Sequence, residues 1–538
     1  MTMPTVARLC YCPVRVDGGG VTMSAARLNG YRHSLVVAAL VLWPDVGRAG
    51  GFETEYPDNG ARALGRAGAF VAKSDDGSAI YYNPAGLTRG TGGALYVSAN
   101  LMSYQASFQP DDRKVSLGNR LVSVHFEEAE QDVPVFVAPF LSYRFDFEGL
   151  PDFDFAAGVY GPAANGDREW PDQWRPTGAT DDLGADAVAR VEGNRQRTLV
   201  PNGLIVVAKP AQIFPTASVA YRVSPTLSIG LSLQNSIVIA KISQGSGGAY
   251  PGQAILEVVD LFAPTGVFGL QWAPLPFLEL GLSARPPIYV EAKGKATLRK
   301  YAECGAPGVD GSCANGAPGA AFGEPWPLSG ELNLRNADGS ANDGVTMSFV
   351  NPTWVRLGAR FVDRDGQGQE RFDVELDYIF EQSSLHRHYA LDFDASHVNL
   401  PASEGVGTTL PMPDLKDLRR YQDTHAVRLG GDLAVIPGRA FVRAGLGYET
   451  GVSPPAYTHL DFPGTDRLTA AMGLGYRFDL VELDLGFSFS RFAPRQVSNS
   501  DVRLVDVQTL DREKWEVVGN GGFEANYYVM GLSSHWSF

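Results

Sequence analysis

Residues 481–490 read VELDLGFSFS, and the way they alternate decides the fold. Val481, Leu483, Leu485, Phe487 and Phe489 share one parity, and Glu482, Asp484, Gly486, Ser488 and Ser490 share the other. Successive side chains of an extended chain point to opposite sides, so this strand has one apolar face and one polar or very small face. A helix would scatter both sets around its circumference. The same dyad sets Phe372, Val374, Leu376, Tyr378 and Phe380 against Asp373, Glu375, Asp377 and Glu381, and Leu227, Ile229, Leu231 and Leu233 against Ser228, Gly230, Ser232 and Gln234.

Alternation of this kind fits two folds: a soluble sandwich buries the apolar face, and a membrane barrel turns it toward lipid. Other features favour an all-β transmembrane antiparallel barrel. Aromatics stand at strand ends (Tyr448, Tyr476, Phe478, Trp536), and the polar faces are rich in Gly and Ser. Long loops alternate with tight turns at Ser224-Pro225, Pro437-Gly438 and Asp479-Leu480. The pattern predicts about 14 strands, an even number as single-chain bacterial barrels require. They fall near 94–106, 133–146, 153–164, 203–223, 226–243, 254–273, 277–298, 345–363, 371–387, 421–436, 439–451, 466–479, 481–495 and 522–538. The last strand places Tyr528, Met530, Leu532, Trp536 and Phe538 on one face, like the terminal aromatic signal read by outer-membrane insertion machinery. The barrel domain is thus expected over 94–538, with its longest loop at 299–344.

Composition sets limits on function. The apolar run Leu35–Trp43 is too short to span a bilayer as a helix, which takes roughly 18 or more apolar residues. Arg27, Arg32 and His33 precede it and Gly47-Arg48-Ala49 follows, the layout of a secretory signal peptide cleaved after Ala49, with Met23 as a plausible start. Residues 1–49 are therefore expected to be leader and signal peptide. Of the four cysteines, Cys10 and Cys12 fall in that leader. Cys304 and Cys313 remain in a Gly/Pro/Ala-rich stretch, where a local disulfide would pin a surface loop. No His lies close enough to complete a zinc set, and no metal or other cofactor is expected. The net charge of -15 excludes a nucleic-acid partner, which needs a basic face.

Residues 50–93, between leader and first strand, do not alternate. They are Gly/Ala-rich, carry a short amphipathic piece from Ala61 to Ala72, and end in Asn83-Pro84-Ala85-Gly86-Leu87. Such a segment either hangs outside the barrel or sits within it. Its core, NGARALGRAGAFVAKSDDGSAIYYNPAGL (59–87), resembles the N-terminal hatch of the FadL-type transporters of long-chain fatty acids and aromatic hydrocarbons. Downstream, FAAGVYGPAANG (155–166) resembles that family's third strand and FPTASVAYRVSPTLSIGLSL (214–233) its fourth and fifth. DTHAVRLGGDLAVIPGRAFVRAGLGYETGVSP (423–454) resembles its tenth and eleventh strands, and GTDRLTAAMGLGYRFD (464–479) extends the likeness.

The resemblance implies a monomeric barrel in the bacterial outer membrane, surrounded by outer-membrane lipid and lipopolysaccharide, with the hatch inside the lumen. A hydrophobic small-molecule ligand would be captured at outer loops, held against the hatch, and released sideways. Asn83, Pro84 and Ala85 match the motif that seats the plug and shapes the inner pocket, although Asn-Pro alone is an ordinary turn signal. Gly158, Gly161 and Pro162 match the kinked third strand that forms the lateral exit. Proline removes a ladder donor and glycine relaxes the backbone there, yet the same residues could simply end a strand. One departure stands out: the 244–253 loop is short where the family builds its capture groove, so 299–344 is a candidate replacement.

Two other functions share some of these features. An outer-membrane lipid-active enzyme needs a nucleophile with a positioned base, and the chain has no nucleophile elbow and no His-Glu-x-x-His. His386 and His388 read as two positions on one strand face, too little for catalysis. Asp363-Arg-Asp365-Gly366 reads as a hairpin turn before a calcium loop. A general porin shares the polar inward faces but gains nothing from a plug.

Overall fold

The structure, a computed structural model, describes residues 59–117, 120–131, 135–161, 168–171, 176–180, 205–246, 252–301, 328–332, 334–394, 396–400, 408–505 and 511–538. The leader, Pro162, Cys304 and Cys313 lie outside the described residues.

The chain forms a closed antiparallel barrel of 14 strands. In order these are β1 (Ala94–Pro110), β2 (Phe136–Asp146), β3 (Phe153–Tyr160), β4 (Ile205–Ser224), β5 (Leu227–Ser246) and β6 (Gly252–Leu275). Next come β7 (Leu278–Arg285 and Ile288–Tyr301), β8 (Gly344–Asn351 and Trp354–Arg364), β9 (Glu370–Glu381 and His388–Asp392) and β10 (Leu415–Leu418 and Thr424–Ile436). The set ends with β11 (Ala440–Glu449), β12 (Arg467–Arg477), β13 (Val481–Phe492) and β14 (Gly521–Ser537). Each strand pairs with the next, and β14 closes on β1 from Ala94↔Ser537 to Pro110↔Gly521. The two-piece strands break where the sequence removes ladder donors or turns, at Pro286-Pro287 in β7, at Pro352 in β8 and at the short 3₁₀ turn Ser383–Leu385 in β9.

Burial settles the choice between sandwich and membrane barrel. On β13, Asp484 is 1% exposed while its neighbour Leu485 is 43% exposed, and the reversal runs along the strand. Leu376, Leu429, Leu446, Leu474 and Leu532 likewise point outward. An exterior of leucine and phenylalanine around a core of carboxylates would be unfavourable in water, and it is the arrangement a barrel adopts in lipid.

The segment 59–93 lies inside the ring. It is made of α1 (Ala61–Leu64), α2 (Ala79–Tyr82) and a 3₁₀ turn, Pro84–Arg89. Proline opens that turn, where its missing N–H costs nothing, and the Asn83 side chain caps it by accepting from the Ala85 N–H. The wall leaves room for the segment with a belt of inward glycines set in register: Gly230↔Gly269, Gly281↔Gly358, Gly430↔Gly445, and Gly486 paired with both Gly473 and Gly531. A methyl group on any of them would overlap the segment or press against it, Gly230 and Gly269 at Pro84, Gly281 at Val71, Gly445 at Arg66 and Gly486 at Ala61.

Hatch seat and inner pocket

The two halves of the hatch are held by different forces. In the first half, the Arg66 guanidinium is fully buried and reaches three carboxylates of the wall: Asp373 at 2.6 Å, Asp432 at 2.5 Å and Glu375 at 3.1 Å. Lys73 Nζ adds Asp373 at 2.6 Å, Glu370 at 3.1 Å and Asp432 at 3.2 Å. The wall supplies its own cations to balance the remainder. Arg360 binds Asp373 and Glu279 at 2.9 and 2.7 Å, and Arg443 binds Asp432 and Asp484 at 3.2 and 2.6 Å. The inward acids of β9 also hold hatch main chain: Asp377 accepts from the Phe70 and Val71 N–H groups at 2.8 and 3.1 Å, and Glu375 from that of Ala72 at 2.6 Å. Buried charges are tolerated only when paired and hydrogen-bonded in this way.

The second half is aromatic. Tyr81 and Tyr82 meet edge to face at 4.8 Å, Tyr82 meets Phe70 at 5.5 Å, and Tyr81 meets Tyr160 of β3 at 5.5 Å. Tyr160 in turn stacks on Phe140 of β2 at 5.0 Å and Phe214 of β4 at 5.5 Å. Arg356 lies 4.5 Å above Tyr81 and 3.8 Å above Trp354, and donates to the Tyr81 hydroxyl at 2.9 Å. Asn83 bolts the halves together, its Nδ2 donating to the Val71 carbonyl at 2.9 Å and to the Leu270 carbonyl of β6 at 3.0 Å. Pro84 and Ala85 are buried against Gly230 and Gly269.

From these rings an apolar lining extends up the inside of β5–β9, through Val238, Val258, Ile288, Val290, Met347 and Phe349. The alternation alone predicted a polar lumen, and in this half of the barrel that expectation is corrected. The signal was present in runs that are apolar at both parities, such as SIVIA (236–240) and IYV (288–290), which mark strands covered on both faces.

Gly158 faces the hatch at Ile80 and pairs with Ser142 and Thr216. Pairing of β3 ends at Tyr160, opposite Phe140 and Phe214, and among the described residues contact with β4 resumes only at Arg168↔Ala208. Gly161 is thus the last described residue before 168, one past the last described rung at Tyr160. His386 and His388 do not share a strand face: His386 sits buried in the turn before the second piece of β9, 4.6 Å from Tyr389 and 5.8 Å from Phe349. Asp365 forms the β8–β9 hairpin, accepting from the Gln367 and Gln369 N–H groups at 2.8 and 2.9 Å. Among the described residues no His, Cys, Asp and Glu cluster could hold a metal ion.

The overall backbone plan is shared with solved structures. Similarity to a Pseudomonas aeruginosa FadL homologue extends over 90% of this chain and 100% of that one, with a TM-score of 0.64 and 17% identity. The fold is the FadL-type barrel. The Pseudomonas putida toluene transporter TodX matches over 90% of this chain and 99% of its own, with a TM-score of 0.56 and 15% identity. The Ralstonia pickettii toluene transporter TbuX matches over 89% and 98%, with a TM-score of 0.51 and 15% identity. No protein-family model and no curated protein matches the sequence. At such identities the likeness is one of backbone plan, and each side-chain contact above is described for this chain.

Proposed function

We propose that this chain is a passive outer-membrane channel for hydrophobic small molecules. Long-chain fatty acids and aromatic hydrocarbons are the classes that the sequence resemblance suggests, and the solved neighbours include toluene transporters. The observation that carries the reading is the apolar lining of β5–β9, which runs down to the Tyr81–Tyr82–Tyr160 rings. Burying apolar surface along that path is worth roughly 25 cal/mol per Å², so no energy source is required for a solute to leave water. Flat rings gain further from edge and stacking contacts with the tyrosines. The route ends at Gly158, Gly161 and Pro162, where a solute passes sideways into lipid. The protein works as a monomer in the outer membrane, among its lipid and lipopolysaccharide, without catalysis.

The test replaces Gly158 and Pro162 by leucine and follows uptake of a fluorescent hydrophobic probe, N-phenyl-1-naphthylamine, by cells carrying the chain. Uptake falls to the background of cells without the chain, while assembly, read as heat-modifiable mobility, is unchanged. Undiminished uptake removes the exit. A large steady ion conductance of the native protein in planar bilayers would favour a general porin instead.

A further inference from the structure

The wall has a discontinuity far from β3 in the sequence. Strands β6 and β7 pair from Gly252↔Lys300 to Val259↔Lys293 and again from Phe268↔Ala284 to Leu275↔Leu278. Between these ladders, 260–267 and 285–292 share no rung. Both strands spend the same number of residues across the interval, so neither loops out: they part and rejoin. Both stay anchored on their far sides, β6 to β5 through Gln234↔Thr265 and Ser236↔Ala263, and β7 to β8 through Ile288↔Asn351.

The sequence accounts for the parting. Pro264 on one lip and Pro286-Pro287 on the other have no N–H to donate. A bulge shifts the β5–β6 register between Ser236 and Val238, opposite Leu261 and Phe262. In place of a ladder, one side chain spans the interval: Asp260 accepts from the Glu291 N–H of β7 and from the Phe262 N–H of its own strand, both at 2.9 Å.

Both sides of this seam are apolar. Within, Ala263, Ile288 and Val290 belong to the continuous inner lining. Without, Phe262, Tyr289 and Leu261 are 74%, 69% and 66% exposed, the three most exposed large apolar side chains among the described residues. Three rungs above Val238↔Asp260, the exposed pair Lys241–Glu257 at 2.7 Å marks the water-facing rim. The seam therefore connects the greasy interior to the outermost part of the apolar band. Where a ladder is complete, a solute crossing the wall would have to break main-chain hydrogen bonds, which lipid cannot replace.

We propose that β6 and β7 form a second lateral opening, latched by Asp260, through which an apolar solute passes between the lumen and the outer rim of the lipid-facing band. This rests on the transport reading above, and the experiment separates the two. Hydrogen exchange in nanodiscs comes first: amides of 261–267 and 288–292 that face the seam exchange faster than those of Gly252–Val259 and Phe268–Leu275. Equal protection along all of β6 overturns the opening whatever transport does. Uptake of N-phenyl-1-naphthylamine follows, in two variants. Asp260→Ala raises the rate about fivefold, the population shift expected from losing one ordinary hydrogen bond. Replacing Pro264, Pro286 and Pro287 by valine restores ladder donors and lowers the rate. A chain that carries the probe natively but ignores both variants overturns the seam as a route. A native chain that carries no probe removes the transport reading, and the passage with it.

Discussion

The two halves of the hatch touch the same barrel and are built on opposite principles. From Arg66 to Lys73 the contacts are ionic, and they converge on the β9–β10 wall through Asp373, Glu375 and Asp432. From Ala79 to Thr88 they are aromatic rings, a proline and hydroxyl-to-carbonyl bonds such as Ser232 Oγ to the Ile80 carbonyl at 2.9 Å, before Arg89 returns to an ion pair with Glu279 at 2.8 Å. Desolvated charge pairs are costly to separate and exacting in geometry, whereas aromatic contacts slide at little expense. Under the proposed transport function, a plug fixed on one side and adaptable on the other would keep ions out while its adaptable face met solutes of varied shape. The contrast assigns firm anchoring and adaptable packing to separate stretches of one short segment.

The largest effect should come from breaking the ionic side. Arg66→Leu leaves Asp373, Glu375 and Asp432 buried without their shared cation, a loss of about 3–5 kcal/mol for such a site. The hatch should leave its seat, so that conductance in planar bilayers rises and protease cuts appear between 59 and 93. Unchanged conductance would mean that the charges do not hold the plug.

A smaller effect follows from filling the glycine belt. At Gly445 an added methyl overlaps the Arg66 and Ala67 main chain, so Gly445→Ala should cost about 1–3 kcal/mol as overpacking does. Gly447, on the same strand and also facing inward, would place its methyl in ordinary contact, 3.5 Å from Arg428. Thermal unfolding of the two variants in detergent checks the contrast, and equal melting points would remove the belt's role in seating the hatch.

The strands were legible because period two is a strong local signal: Asp373, Glu375 and Asp377 stood on one parity before any partner was known. Their partners were not legible, since nothing local says that Arg66 and Lys73, some three hundred residues upstream, lie opposite them. A count of inward acids that the strands' own bases could not balance would have pointed to the hatch. The apolar lining was missed because runs such as SIVIA carry no alternation to read. The seam between β6 and β7 was missed because its ladder loss depends on two proline sites in different strands coming level, which only the register reveals.

The smallest predicted effect concerns the joint between the halves. Asn83 belongs to neither principle: its amide donates to Val71 in the ionic half and to Leu270 in the wall, while its carbonyl caps the turn that carries Pro84. Asn83→Ala loses a cap worth about 1 kcal/mol and takes a donor from the Val71 carbonyl of the hatch and the Leu270 carbonyl of the wall. If the halves are mechanically distinct, the ionic anchor survives this change, so ion conductance stays low while probe uptake shifts. Asn83→Asp sharpens the point, because a carboxylate keeps the cap to the Ala85 N–H but faces the Val71 and Leu270 carbonyls without a proton to give. A conductance rise in either variant equal to that of Arg66→Leu would show that the segment moves as one body, and the division of labour between its halves would be wrong.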